Sequence, residues 1–262
     1  MDDDPTVSLS GKVLATFSLP VGRASIQASA QVPAGQTTLT ELLPIIRNLE
    51  NAIVDRVGEE AREAGKPISC RAGCGACCRQ MVPVSLFEAE ALTEWLRTLP
   101  EARRVELGER FHRALSTLRD AGVIDSILNN EWILDHERTM QLAIDYFHAG
   151  VPCPFLEDES CSIHPIRPLS CREYLVTSPP ELCQDPSVHE VSGIRLPLKL
   201  SRALFAFGQR MEQDPRGWIP LVFLLAWGKS GARPGDRVAG SGPEVLKGFL
   251  EQVTGVSPTE NG

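Results

Sequence analysis

The sequence lacks a long apolar run, a block of basic residues and an apolar N-terminal leader. Its most apolar stretch, residues 218–227, is far shorter than the roughly 20 residues that a membrane-spanning helix needs. The first residues are acidic and precede no apolar segment, so a secretory signal is not expected. With a formal net charge of −8, the chain is poorly suited to displace counterions from nucleic-acid phosphates. We therefore expect a cytoplasmic protein whose partner is a protein or a small molecule, and neither a membrane nor a nucleic acid.

Cysteine is absent from most of the chain and is confined to two groups. The first cysteine group comprises Cys70, Cys74, Cys77 and Cys78. The second cysteine group comprises Cys153, Cys161, Cys171 and Cys183. In a reducing cytosol, eight cysteines are not expected to form four structural disulfides. Metal binding or redox chemistry is the better interpretation of this confinement.

The N-terminal half of the sequence predicts a β-hairpin followed by helices. Over residues 6–32, apolar residues alternate with polar ones, and Pro20–Arg23 interrupts the alternation as a turn would. Helical periodicity dominates residues 38–150, where Thr38–Glu41 and Ser85–Glu88 have the pattern of capping boxes at helix starts. The first cysteine group follows the Gly65–Pro67 helix stop, so it is expected on a loop.

The second half changes character at residue 151. Residues 151–196 contain seven prolines and four cysteines and show little periodicity. So long an irregular segment is unusual inside a compact domain unless something such as a metal holds it. Helical patterns return over residues 197–255. The sequence thus predicts a single domain over residues 1–262, mainly α with an N-terminal β-hairpin (α+β), in which a helical frame carries an irregular, cysteine-rich, metal-binding insert.

Thiolate sulfur is a soft ligand that selects zinc, copper(I) and iron–sulfur clusters over magnesium or calcium. The short spacings of the first cysteine group let several thiolates converge, and Gly73 and Gly75 permit a tight backbone path. Consecutive side chains diverge, so Cys77 and Cys78 are expected to face different sites, or a site and the core. Two four-thiolate sites and one site with spare cysteines both remain open.

Other interpretations predict different chemistry. The spacing Cys70-x3-Cys74-x2-Cys77 is that of the radical S-adenosylmethionine signature, but no strand–helix alternation follows it, and Cys78 is foreign to that pattern. A zinc-binding structural or interaction module would use metal to order the insert. A thiol-redox or disulfide-stabilised protein would contain no metal.

The two cysteine groups together resemble the family named for its CxxCxxCC motif, a zinc- or iron-chelating domain. The resemblance rests on residues 69–88, on Cys153-Pro-Phe-Leu156, and on the segment from Cys161 to Arg172, which reads CSIHPIRPLSCR. The chain departs from the family pattern in two respects. Three residues, not two, separate Cys70 from Cys74, and His164 stands where the family usually has tyrosine, which adds a possible nitrogen ligand.

The resemblance implies a metal-binding function. A related protein, the flagellin lysine N-methylase, contains an iron–sulfur cluster and uses S-adenosylmethionine. By resemblance, the chain is expected to hold an iron–sulfur cluster of the [4Fe–4S] type or iron, with zinc as the alternative, and to support a protein-modifying or redox activity. Arg167 and Arg172 match the family's arginines and are expected to bind the cofactor or to hold the loop. No catalytic residue is assigned, so enzymatic activity rests on the resemblance alone. The implied metal ligands are Cys70, Cys74, Cys77, Cys78, Cys153, Cys161 and Cys171, with Cys183 fitting the later family cysteine.

Overall fold

The computed structural model describes residues 11–21, 24–129, 135–212 and 216–255. This part of the chain is mainly helical and carries small two-stranded antiparallel sheets, which confirms the predicted α+β class. The helices are α1 (Leu43–Glu63), α2 (Leu86–Thr98), α3 (Glu101–Asp120), α4 (Val123–Leu128), α5 (His136–His148), α6 (Leu169–Glu173), α7 (Leu200–Glu212), α8 (Leu224–Gly228) and α9 (Gly242–Gly255). The strands are β1 (Lys12–Val21), β2 (Ala24–Pro33), β3 (Gln36–Thr38), β4 (Pro83–Ser85), β5 (Leu156–Glu157), β6 (Ser160–Cys161), β7 (Trp218–Pro220) and β8 (Ala239–Ser241).

The predicted hairpin is formed by β1 and β2. The strands pair antiparallel, with Val13 opposite Val32 and Leu19 opposite Ile26, and these four residues pack on the core cluster formed with α1, α7 and α9. The alternation of apolar and polar residues in the sequence therefore corresponds to a hairpin with one buried face. Residues 6–10 and the centre of the predicted turn lie outside the described part of the chain.

The two predicted capping boxes have different outcomes. At α2, Ser85 and Glu88 form the reciprocal box that the sequence predicts. Thr38 and Glu41 also hydrogen-bond reciprocally, at 2.8 and 3.2 Å, but they close a turn that precedes the helix. The prediction that this box opens the helix is wrong, because α1 begins at Leu43. Pro44 lies in the first turn of α1, where its missing N–H costs no helical hydrogen bond.

Short strands tie distant parts of the chain together. β3 pairs with β8, and β4 pairs with β7, so the segments before α1 and α2 are fixed by C-terminal residues. The insert contains only the β5–β6 hairpin, α6 and short 3₁₀ turns, in agreement with its irregular sequence. It contacts the frame through α6, which packs on α1 and α7. Among the described helices, none combines the length and apolarity needed to cross a bilayer.

Candidate metal centre

The first cysteine group lies on the loop between α1 and β4, which contains a 3₁₀ helix, Ala76–Arg79. Gly73 has φ of +79°, in the left-handed region that glycine adopts without a steric cost. At Gly75, an added Cβ would lie 2.8 Å from Cδ1 of Leu156, so glycine lets the loop approach β5 closely. Gly73 thus allows the tight turn of the loop, and Gly75 allows the loop to pack against β5, next to the second cysteine group.

Hydrogen bonds join the two cysteine groups directly. The N–H of Cys153 donates to the carbonyl oxygen of Cys78 at 2.7 Å. The guanidinium of Arg79 donates to both carboxylate oxygens of Glu159, at 2.7 and 3.1 Å, and Glu159 lies at the tip of the β5–β6 hairpin. These contacts fix the first cysteine loop against the second group.

Most of the cysteines line one cavity with a volume of about 850 Å³. Cys183 is buried outside its wall, on the 3₁₀ helix Pro180–Gln184, which packs against the 3₁₀ helix Ala76–Arg79. All eight cysteines are free thiols. The structure therefore brings together seven of the eight implied ligands and leaves Cys183 beside them. The cysteines in the cavity wall are Cys70, Cys74, Cys77, Cys78, Cys153, Cys161 and Cys171.

Burial and mutual proximity raise most of the thiol pKa values. Burial raises the pKa of Cys153 to about 12 and that of Cys171 well above its ordinary value. A hydrogen bond between the adjacent thiols lowers the pKa of Cys77 to about 7 and raises the pKa of Cys78. Thiolates are the metal ligands, so metal binding to the buried thiols must release protons.

Backbone N–H groups act on three of the cavity thiols. Burial raises the pKa of each of these thiols, and the nearby N–H group opposes the rise because it favours the thiolate. Hydrogen bonds to sulfur are also one means by which proteins tune metal–thiolate clusters. The pairs are Cys70 with Val176, Cys153 with Phe155, and Cys161 with Ile163.

The two arginines expected to bind the cofactor occupy different positions. Arg167 lines the cavity, and its Nε is buried without a hydrogen-bond partner in the described part of the chain. Its charge favours the thiolate forms of four cavity cysteines. Arg172 is buried, and its guanidinium donates to the carbonyl oxygens of His164 and Pro165, at 3.3 and 2.7 Å, and to Oδ1 of Asn51 at 2.7 Å. Arg167 thus faces the thiols, whereas Arg172 shapes the backbone that carries Arg167.

His164 also lines the cavity, although its side chain is largely exposed. Partial burial and the charges of Arg167 and Arg172 lower its pKa, so the imidazole is neutral at pH 7 and able to bind a metal. It adds an imidazole to the wall of the thiol-lined cavity.

Sequence reasoning missed a buried charged cluster, whose members are Arg47, Glu50, Glu88, Arg172 and Glu173. The carboxylate of Glu88 accepts from the N–H of Leu169 at 2.7 Å and so holds the start of α6. Glu173 lines the cavity and accepts from both the N–H and the hydroxyl of Ser201, at 2.8 and 2.6 Å, at the start of α7. The cluster therefore positions the helix that carries Cys171.

Glu50 is the least satisfied member of the buried charged cluster. It is fully buried on the apolar face of α1, next to Leu49, and neither carboxylate oxygen has a hydrogen-bond partner in the described part of the chain. Burial and the nearby Glu173 raise its pKa to about 9. A charged residue inside the apolar stripe of a predicted helix was the signal that could have revealed the cluster.

The donor set suits a soft metal, since seven cysteines line the cavity wall, whereas its other common metal-binding side chains are His164, Glu159 and Glu173. The thiols are distributed over the wall of the cavity. Over the described residues, no three side chains of the His, Cys, Asp and Glu types are arranged around a point where a single metal ion would bind. The residues therefore fit a thiolate-bound metal group in chemistry and in available space.

Comparison with known proteins gives one match. No curated protein and no solved structure matches the chain. The matching family model covers both cysteine groups, which confirms the resemblance seen in the sequence and supports metal binding. Residues 69–190 are similar to the CxxCxxCC family, whose description is "Putative zinc- or iron-chelating domain".

Proposed function

We propose that the protein binds an iron–sulfur cluster, of the [4Fe–4S] type, through its cavity cysteines, and that it supports a redox or protein-modifying activity. The observation that carries this proposal is the spread of seven thiols over one cavity wall. Four thiolates around one zinc ion have their sulfur atoms within about 4 Å of each other. In a cluster each thiolate binds a different iron, so the thiolates stand further apart.

The protein's own groups suit a negatively charged thiolate cluster. Arg167 places a positive charge beside the thiols and offsets part of their charge. The N–H groups of Phe155 and Ile163 support Cys153 and Cys161 from the backbone. When bound, the cluster would supply one-electron chemistry. Cys70 is exposed, so a redox partner or substrate could approach this edge of the cavity.

Anaerobic purification of the full chain tests the proposal. We expect a brown protein with broad visible absorbance that contains roughly four iron and four sulfide ions per chain. Reduction should change the absorbance and give an electron paramagnetic resonance signal. A colourless anaerobic preparation with stoichiometric zinc and no iron would contradict the proposal.

Two cysteine variants locate the centre. Cys171→Ala removes a thiol from the cavity wall, and we expect most of the iron to be lost. Cys183→Ala removes a buried thiol outside the wall, and we expect iron to be retained. Ser126→Ala, at an exposed position of α4 outside the cavity wall, is the control and should keep wild-type iron content. Iron loss in Cys183→Ala with retention in Cys171→Ala would place the centre elsewhere.

A zinc-binding structural module is the second candidate. It is favoured by the small size of the elements in residues 151–196, which include two-residue strands and the five-residue α6. Elements this short need support from outside their own hydrogen bonds. In this case, a chelator should make residues 151–196 sensitive to limited proteolysis without any change in visible absorbance.

A further inference from the structure

We propose that the cysteine-lined cavity also binds a small organic anion, which carries one oxyanion group such as a carboxylate together with an apolar body. Arg167, Arg202 and Lys199 would hold the oxyanion, and the apolar part of the wall would receive the body. This inference goes beyond the proposed metal centre, with which it shares the cavity but not the recognition groups on α7. Nothing in the family match assigns such a ligand.

The first argument is that the cavity wall contains cations without carboxylate partners. Arg167, Lys199 and Arg202 all line it, and none has a carboxylate within 4.0 Å in the described part of the chain. By contrast, Arg71 and Arg79, near the first cysteine group, pair with Glu181 and Glu159 at 3.6 and 2.7 Å. In a chain with 34 acidic and 26 basic residues, cations are the minority, so partners are plentiful.

The second argument is that the carboxylates of the wall are already engaged. Glu159 is held by Arg79, and Glu173 accepts two hydrogen bonds from Ser201. Glu159 is therefore not available to the cations, and although the charge of Glu173 acts on Lys199, neither Arg167 nor Arg202 has a carboxylate within 4.0 Å in the described part of the chain. Glu173 also occupies the N-terminus of α7, so an incoming anion would be held by side chains and not by that helix end. Guanidinium groups recognise oxyanions through two parallel hydrogen bonds.

Two of the three cations, Lys199 and Arg202, lie outside the cysteine-bearing segments of the sequence. Arg167 belongs to the segment between Cys161 and Cys171 and acts on the thiols. Lys199 precedes α7 and Arg202 lies in its first turn, outside both cysteine groups. Arg202 is half-buried, which is costly for a charged group that has no carboxylate within 4.0 Å in the described part of the chain. A ligand that brings its own negative charge would remove this cost.

The third argument concerns the shape and lining of the remaining space. The cavity volume of about 850 Å³ lies in the range of small-molecule sites. Apolar side chains from several elements share its wall with the cations. Such a combination of an apolar surface and a few convergent charged groups is typical of sites for small organic ligands. The apolar lining residues include Val54, Ile68, Met81, Val82, Phe205 and Leu221.

A matched pair of probes tests the inference on the full purified chain. Anilinonaphthalene sulfonate has an apolar body with one oxyanion, and phenylnaphthylamine has the same rings without the charge. We expect equilibrium dialysis to show that the sulfonate binds at one site per chain. The affinity of the neutral probe should be lower than that of the sulfonate by a factor of about ten or more. Equal affinities for the two probes would overturn the inference, because the cations would then contribute nothing.

Variants assign the binding to the cavity. Arg202→Met keeps an apolar stem, and we expect it to weaken sulfonate binding about tenfold, as the loss of one charge-assisted hydrogen bond does. Neutral-probe binding should not change. Lys199→Met, at an exposed position, provides a second test that does not disturb packing, and it should weaken sulfonate binding severalfold. Lys229→Met removes an exposed lysine outside the cavity wall and should have no effect. Wild-type sulfonate affinity in either folded cavity variant would overturn the inference.

Iron determined on the same samples separates this inference from the proposed function. A preparation without iron that still binds the sulfonate through Arg202 would contradict the iron–sulfur proposal and support the anion site. An iron-loaded protein that binds both probes equally would support the iron–sulfur proposal and contradict the anion site.

Discussion

The ion pair between Arg79 and Glu159 leads to a prediction about the stability of two variants: at Glu159, glycine should be tolerated better than alanine. We expect Glu159→Ala to destabilise the protein and Glu159→Gly to leave its stability nearly unchanged. Glu159 and Asp158 form the two-residue loop of the β5–β6 hairpin, and both have positive φ, 54° and 47°. A side chain in this left-handed region costs about 1–2 kcal/mol, which glycine avoids.

The magnitudes follow from the exposure and geometry of the contact. The side chains of Arg79 and Glu159 are 33% and 51% exposed, so the two-hydrogen-bond ion pair is worth about 1 kcal/mol or less. Glu159→Ala loses this contribution and keeps the strain. Glu159→Gly loses it too, but the relief of strain exceeds the roughly 0.4–1 kcal/mol that glycine costs through the unfolded chain. We expect the glycine variant to be more stable than the alanine variant by about 0.5–1 kcal/mol.

Urea unfolding of the reduced, metal-free protein measures these free energies. A matched control is Glu106 in α3, which also pairs with arginines, Arg103 and Arg110, but lies in a helix. There the order should reverse, with Glu106→Ala more stable than Glu106→Gly by about 1 kcal/mol. Loss of metal to a chelator should be faster in Glu159→Ala than in the wild type, because the two cysteine groups are less firmly joined.

Either of two results would refute this reasoning. If Glu159→Ala is at least as stable as Glu159→Gly, the hairpin loop stores no conformational strain. If a double-mutant cycle between Arg79→Met and Glu159→Gly gives no coupling, the ion pair does not join the two groups in solution.

Two further predictions concern the interior. Phe155 is fully buried between Trp95 and Phe111, at ring-centroid distances of 6.2 and 5.5 Å, so Phe155→Ala should cost about 3–5 kcal/mol in urea unfolding and also loosen the segment after Cys153. Met140→Ala at an exposed site should change stability by no more than about 0.5 kcal/mol. The pKa of Glu50 is raised to about 9 in the folded protein, so stability present below the unfolded pKa of about 4.3 is lost progressively as pH rises towards 9. Unfolding of Glu50→Gln should show a flatter pH dependence than the wild type between pH 5 and pH 9, and parallel curves would contradict the assignment.

Much of the helical frame could be predicted from the sequence. Helical periodicity indicated a helical frame over residues 38–150, and the Ser85–Glu88 capping box located the start of α2. The box at Thr38–Glu41 misled the prediction of α1, because the hydrogen bonds of a capping box also close isolated turns. α4, with six residues, and the three-residue strands β3, β4, β7 and β8 are too short to produce a periodic signal.

The candidate site could also be predicted only in part from the sequence. Sequence spacing identified the first cysteine group, because thiols a few residues apart on one loop must remain close together. The family pattern then indicated the second group. Neither could indicate that Cys183 lies outside the cavity wall, or that Arg172 is engaged by backbone carbonyls while Arg167 faces the thiols.

The sequence by itself determined the secondary structure class, the cysteine-only ligand chemistry and the resemblance to a metal-chelating family, since these depend on residue type and local spacing. Only the tertiary structure decided that both cysteine groups share one cavity, and that Lys199, directly before α7, and Arg202, in α7, join its wall. It also decided that Glu50 is buried and that neither of its carboxylate oxygens has a hydrogen-bond partner in the described part of the chain. These features depend on how α1, α6 and α7 pack against each other, and the side chains they bring together are far apart in the sequence. Local periodicity carries no information about such distances.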